Sequence, residues 1–238
     1  LTVEMLLNRN DGGYEFKLDH WLALRYLVIT KKHGVLQALA EIEGLSDSQA
    51  SGIPRGLLRS DVISLSNVWH VAALAALKVK GLTAEMLLNR NVGGFNFEGE
   101  HYNLLRQLVL RENETIDAAL VIIDGLSVYH VQALSILKAK GLTKEMLLEC
   151  KTNGGFGYYH QLALCKLVSA KGFSVAQALA EIAHLNDYQA SRIYAGEARD
   201  IVIRRVIFVT TFYSRPVELN PMAPEFNGEH LVRAANNK

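Results

Sequence analysis

The segment Leu1-Thr-Val-Glu-Met-Leu-Leu-Asn-Arg-Asn10 returns as Leu82-Thr-Ala-Glu-Met-Leu-Leu-Asn-Arg-Asn91 and, in part, as Leu142-Thr-Lys-Glu-Met-Leu-Leu148. The first two copies stay in register beyond it: Gly12-Gly13 corresponds to Gly93-Gly94, His20 to His101, Arg25 to Arg106, and Gly44-Leu45-Ser46 to Gly125-Leu126-Ser127. A second block, Ala38-Leu-Ala-Glu-Ile42 with Asp47-x-Gln49-Ala50-Ser51, reappears as Ala178-Leu-Ala-Glu-Ile182 with Asp187-x-Gln189-Ala190-Ser191. A third, His70-Val-Ala-Ala-Leu74 ending in Lys80-Gly81, reappears as His130-Val-Gln-Ala-Leu134 ending in Lys140-Gly141. Self-similarity on this scale marks an array of small structural units that bury their apolar faces against one another.

Cutting at the recurrent glycines gives units of roughly 1–34, 35–56, 57–81, 82–114, 115–141, 142–172 and 173–196, each a short apolar segment, a loop and a longer apolar segment. The longer segments space their apolar residues by three and four, as in Leu104, Leu105, Leu108 and Val109, so both segments read as helices. Thr2, Thr83 and Thr143 open the short segments two residues before a Glu, as N-caps with an acidic first turn do. Lys138 and Lys140 precede Gly141, a basic last turn before a left-handed glycine. The expected fold is all-α: a right-handed α-solenoid, or superhelix, of about seven short helix-turn-helix repeats with a divergent C-terminal helix. Residues 197–215, with the apolar run Ile201–Phe212, form the expected cap, although the Val, Ile and Thr in that run leave a strand open. Residues 216–238 read as a polar tail.

Half of the residues are apolar, ample for a core, and the chain has only four Pro and few aromatics. Twenty-five basic against 24 acidic side chains give a net charge of +1, which by itself selects no charged partner. Cys150 and Cys165 lack the spacing of a zinc site or a disulfide framework, which favours a reducing, cytoplasmic setting. No apolar run reaches the roughly 18 to 20 residues of a membrane span, and no targeting segment opens the sequence. Because Leu1 lies inside a repeat, the chain reads as a piece of a longer protein.

His20, His70, His101, His130 and His160 all fall at the start of a longer segment. A ladder of imidazoles could bind metal or respond to pH. A residue that repeats with the scaffold more often serves it, and no carboxylate or thiol stands at ligand spacing, so we read these rings as caps on their own or neighbouring loops. Gly12-Gly13, Gly93-Gly94 and Gly154-Gly155 lie between helices and outside any phosphate-binding pattern, so they read as turns with positive φ. Tyr14, Phe16, Phe95, Phe97 and Phe156 follow these glycines and read as wedges under the loops. Cys165, near His160, reads as a space-filling thiol, and Arg199, Arg204 and Arg205 as a solvated basic face. No nucleophile elbow, metalloprotease motif or carboxylate pair stands out, so no catalytic, metal or cofactor residues are assigned, and no small-molecule substrate is expected.

Leu142-Thr-Lys-Glu-Met-Leu-Leu-Glu-Cys-Lys-Thr-Asn153-Gly154-Gly155, followed by a helix ending at Lys171-Gly172, resembles the short-helix, Asn-Gly-Gly loop, long-helix repeat of TAL effectors. That resemblance implies DNA reading by stacked loops, here Asp11-Gly12, Val92-Gly93 and Asn153-Gly154. Leu137–Leu148 is similar to the repeats of mitochondrial transcription termination factors, without their proline. The Leu- and Ala-rich texture also resembles helical repeats of effector proteins that intracellular bacteria deliver into host cells.

Three functions stand open. The first is a protein-binding scaffold whose exposed positions vary between units, with Asp19, Glu100 and Tyr159 at one such position and Trp21, Tyr102 and Gln161 at another. The alternative is double-stranded nucleic-acid binding through the aligned loops. A third places a catalytic domain elsewhere in a longer protein.

Overall fold

The computed structural model describes residues 16–88 and 97–204. The first copy of the repeated segment, the end of the second (residues 89–91), the loop residues Asp11, Gly12, Val92 and Gly93, Tyr14, Phe95 and Arg205, and everything beyond residue 204 lie outside the described residues. Within them the protein is all-helical, and no strand is present among the described residues.

Among the described residues seven helices alternate with six others. The first row is α1 (Leu18–Arg25, winding on as a π-turn through Tyr26–Thr30), α3 (Asp47–Ala50, with a 3-10 turn at Ile53–Arg55), α5 (Val68–Leu77), α7 (Gly99–Leu110), α9 (Val128–Leu137), α11 (Tyr158–Ala170) and α13 (Asp187–Ala195). Between them lie α2 (Val35–Ile42), α4 (Arg59–Val62), α6 (Ala84–Leu88), α8 (Ile116–Ile123), α10 (Lys144–Glu149) and α12 (Val175–Ile182). Residues 199–204 are helical again.

Each odd-numbered helix packs against the next odd-numbered helix, from α1 on α3 through α11 on α13. Most also pack on the even-numbered helix that follows them, as α7 does on α8 and α11 on α12. One continuous core results, carried by residues that recur with the repeat: Leu24, Leu74, Leu105, Leu134 and Leu164 in the odd row, and Leu39, Leu87, Leu120, Leu147 and Leu179 in the even row. Each such leucine contributes roughly 1.5–3 kcal/mol of burial free energy.

Local sequence decides where these helices start and stop. Thr83 Oγ and Thr143 Oγ each accept the backbone N–H three residues on, at 3.3 Å, and Ser174 and Thr115 cap α12 and α8 in the same way. After α5 and α9 the chain tightens into a 3-10 turn and stops at Gly81 (φ 96°) and Gly141 (φ 91°), a left-handed conformation that a Cβ disfavours. The helices that follow a glycine-pair loop end differently. Beyond α7 and α11, Asn113 and Gly172 take positive φ, and the next residue's N–H reaches back to Leu108 O (3.0 Å) and Leu167 O (3.1 Å). Lys32 does the same after α1, where His33 N–H donates to Leu27 O at 3.0 Å.

Candidate functional site

At the amino end of the odd helices, one side chain per helix does a recurring task. His20, His101 and His160 each accept at Nδ1 the backbone N–H of the residue three before, at 3.1, 3.2 and 3.1 Å. Each donates from Nε2 to a backbone carbonyl 25 residues on, in the turn before the next odd helix: Leu45, Leu126 and Leu185, at 2.8, 2.9 and 3.0 Å. A carbonyl only accepts, so the Nε2–H tautomer is required, and both ring nitrogens are engaged. Rings held like this have no lone pair left for a metal, and no cluster of potential metal ligands is found among the described residues. The order of the odd row is thus secured by imidazole rings that bridge backbone groups of successive units as well as by apolar contact.

The same place holds Gln49 in α3 and Gln189 in α13. Gln49 accepts Ser46 N–H at 2.7 Å and donates to Ile63 O at 3.0 Å, and Gln189 accepts Asn186 N–H at 2.9 Å. Sequence reasoning missed both, although the repeated Asp-x-Gln block carries them. In α5 the task passes to Asn67, which caps Trp69 N–H (2.8 Å) and donates to Phe97 O (2.6 Å). His70 is left with both ring nitrogens buried and without a partner. His130 accepts from Ser127 N–H (3.2 Å) and lies 2.8 Å from its hydroxyl. Phe97 is wedged between His70 and His101, with ring centroids 5.0 and 5.8 Å apart, and Phe156 between His130 and His160, at 4.6 and 5.7 Å. Burial lowers the His70 pKa, and burial with the nearby His160 lowers that of His130 to about 4.

The positions expected to face a partner divide. Gln161 is a correction: only 6% of it is exposed, and its amide donates to Cys165 Sγ at 3.5 Å. Its counterparts Ala50, Val71, Val131 and Ala190 are all buried, so this register position lies in the seam between neighbouring odd helices, and variation there reflects packing. Trp21 at the same position is exposed and has Arg25 over its ring at 5.5 Å, while Tyr102 is half-buried. Two residues earlier, Asp19 and Glu100 are half-buried and Tyr159 is exposed.

That earlier position and the one before it carry residues the sequence reading passed over: Trp69, Tyr129, Tyr158 and Tyr188, recognisable only by their register with the histidines and Gln189. Trp69 stacks on Tyr102 across α5 and α7 (6.1 Å), Tyr129 meets Tyr158 edge-on across α9 and α11 (6.1 Å), and Tyr158 meets Tyr159 at 5.2 Å. Trp69, Tyr158 and Tyr188 remain 41, 47 and 72% exposed.

The remaining candidates take structural places. Asn153 donates its side-chain amide to His184 O (2.5 Å) and its backbone N–H to Leu185 O (2.9 Å), which ties this loop to the turn before α13, while Gly154 and Gly155 are exposed with φ 92°. Burial raises both cysteine thiol pKa values, which suits packing and not nucleophilic attack. Arg199 donates to Ala183 O at 2.9 Å, whereas Arg204 is exposed.

At the other end of the odd helices Lys and Arg predominate, among them Arg25, Lys32, Arg55, Lys80, Arg106, Arg111, Lys140 and Lys171. Lys78 pairs with Asp61 at 2.5 Å, and Lys138 with Glu112. No helix among the described residues is long and apolar enough to cross a membrane. No protein-family model, curated protein or solved structure matches the chain.

Proposed function

We propose that this chain is a non-enzymatic interaction scaffold, a right-handed α-solenoid of stacked helix pairs, that binds a protein along the amino ends of its odd-numbered helices. The observation that supports it most is the set of aromatic side chains there: Trp69, Tyr158, Tyr159 and Tyr188 are exposed, and Tyr102 and Tyr129 lie half-buried beside them. Carboxylates at helix amino ends and cations at carboxyl ends complement the helix dipoles and need no partner to explain them. Exposed Trp and Tyr gain nothing from a dipole, and contiguous exposed aromatics are typical of binding surfaces. The resemblance of the repeats to those of delivered bacterial effectors fits this role, and we place the protein in a cytoplasm, its own cell's or a host's.

A photo-crosslinking side chain placed at Tyr188, and separately at Val79 on the opposite ends, tests the reading. Adducts from position 188 that vanish when Tyr158→Ser and Trp69→Ala are added are expected. Adducts from position 79 alone would remove it.

A second reading, binding of a double-stranded nucleic acid, is favoured by the cations at the carboxyl ends of the odd helices. It gains nothing from the loop at Asn153, whose amide is spent on His184. Under this reading duplex affinity falls steeply with salt, and the slope lessens when Lys80 and Lys171 are changed to Gln.

A further inference from the structure

The rings along the amino ends share their edge with mostly acidic side chains. In the N-caps and first turns of the odd helices the acidic residues are Asp19, Asp47, Glu98, Glu100 and Asp187, and the only cation among the described residues is Lys17. Other rings of the molecule hold cations: Arg25 lies over Trp21, at the register of Tyr102, at 5.5 Å, Lys31 over the half-buried Tyr26 at 5.8 Å, and Lys166 over Tyr194 at 5.0 Å. Among the described residues no Lys or Arg lies over Trp69, Tyr102, Tyr129, Tyr158, Tyr159 or Tyr188.

We infer that the occupant of this edge is an extended segment of a partner protein rich in Arg and Lys, its cations lying over the exposed parts of these rings and beside the carboxylates. The inference rests on the protein-binding reading above and names the partner's chemistry. Guanidinium and ammonium groups are attracted to the faces of Trp and Tyr and to carboxylates alike, so one side-chain class satisfies both features of the edge. From α5 to α13 there are four steps between neighbouring helices, roughly 8–10 Å each, or about 32–40 Å in all. An extended chain covers that in roughly ten to twelve residues. One cation for each helix then falls at about every second or third residue. Stiff, preformed rings on helix ends lose little conformational freedom on binding, which suits recognition of a segment that is itself unfolded beforehand.

The test uses the whole 238-residue chain and three labelled twelve-residue peptides, alternating Arg-Ser, Gln-Ser and Glu-Ser, followed by fluorescence anisotropy at low and moderate salt. The Arg-Ser peptide is expected to bind at least tenfold tighter than the other two and to weaken with salt. In a Trp21→Phe background the only tryptophan left is Trp69, and its emission should change on binding. Tyr158→Ser with Tyr188→Ser should weaken binding at least tenfold, Glu98→Gln with Glu100→Gln severalfold, and Lys80→Gln with Lys171→Gln should not weaken it. Circular dichroism confirms that each variant is folded. Equal affinity for the three peptides, or unchanged affinity in the tyrosine variant, overturns the inference. Selection from an unbiased peptide library separates the two levels. Neutral or acidic binders lost in the tyrosine variant would sink the cationic partner but keep the edge, and binders that survive the variant would sink both.

Discussion

His160 joins three parts of the chain through one ring: the N-cap of α11 through Gly157 N–H, the turn before α13 through Leu185 O, and Phe156 beneath the loop. Its replacement by Ala leaves two buried backbone groups unpaired beside a cavity, a cost of about 2–4 kcal/mol in urea denaturation. His160→Gln should recover much of this, since Gln49 makes both contacts in α3. His70 and His130 both reduce stability as pH falls. Both have folded pKa values below the ordinary 6.5, His130 at about 4, so below about pH 6.5 the unfolded chain binds more protons than the folded one. Stability should therefore decline from neutral pH toward pH 4, and His130→Phe should flatten that decline in thermal melts recorded across the range. His184 occupies at φ 62° the turn position that Gly44 and Gly125 fill in other units. His184→Gly should raise stability by about 0.5–1 kcal/mol, measured as a rise in Tm.

The helices are short, and several even-numbered ones would not persist alone in water, so caps and packing decide them. Thr143→Ala removes the N-cap of the six-residue α10 and should cost about 1 kcal/mol. These caps were legible in the sequence, as were the stops at Gly81 and Gly141, because each needs only a few neighbouring residues. The 3-10 turns, and the second kind of ending in which Asn113 and Lys32 take the left-handed place, were not. Neither residue signals that conformation as glycine does, and the backward hydrogen bonds that stabilise it appear only once the helix end is formed. Gln161 shows the complementary failure. Variation between units suggests exposure, whereas the rotation of α11 turns that position into the seam.

For the whole molecule, an array in which each odd helix touches mainly its neighbours should lose stability locally. Leu105→Ala in α7 is expected to raise hydrogen exchange in α5 and α9 and to leave α13 near its original protection; uniform loss across the chain would instead indicate one cooperative globule. The repeat, the helical content, the cap residues and the recurrence of histidine were determined by the sequence alone, because each depends on spacing within one unit. Which positions face solvent, which carbonyls receive His20, His101 and His160, and that aromatic pairs from successive units meet were decided only by tertiary structure. Contacts such as Trp69 with Tyr102 join residues from different units. They exist because packed helices bring equal register positions side by side, and that alignment depends on the angle and distance between helices, which residue spacing does not encode.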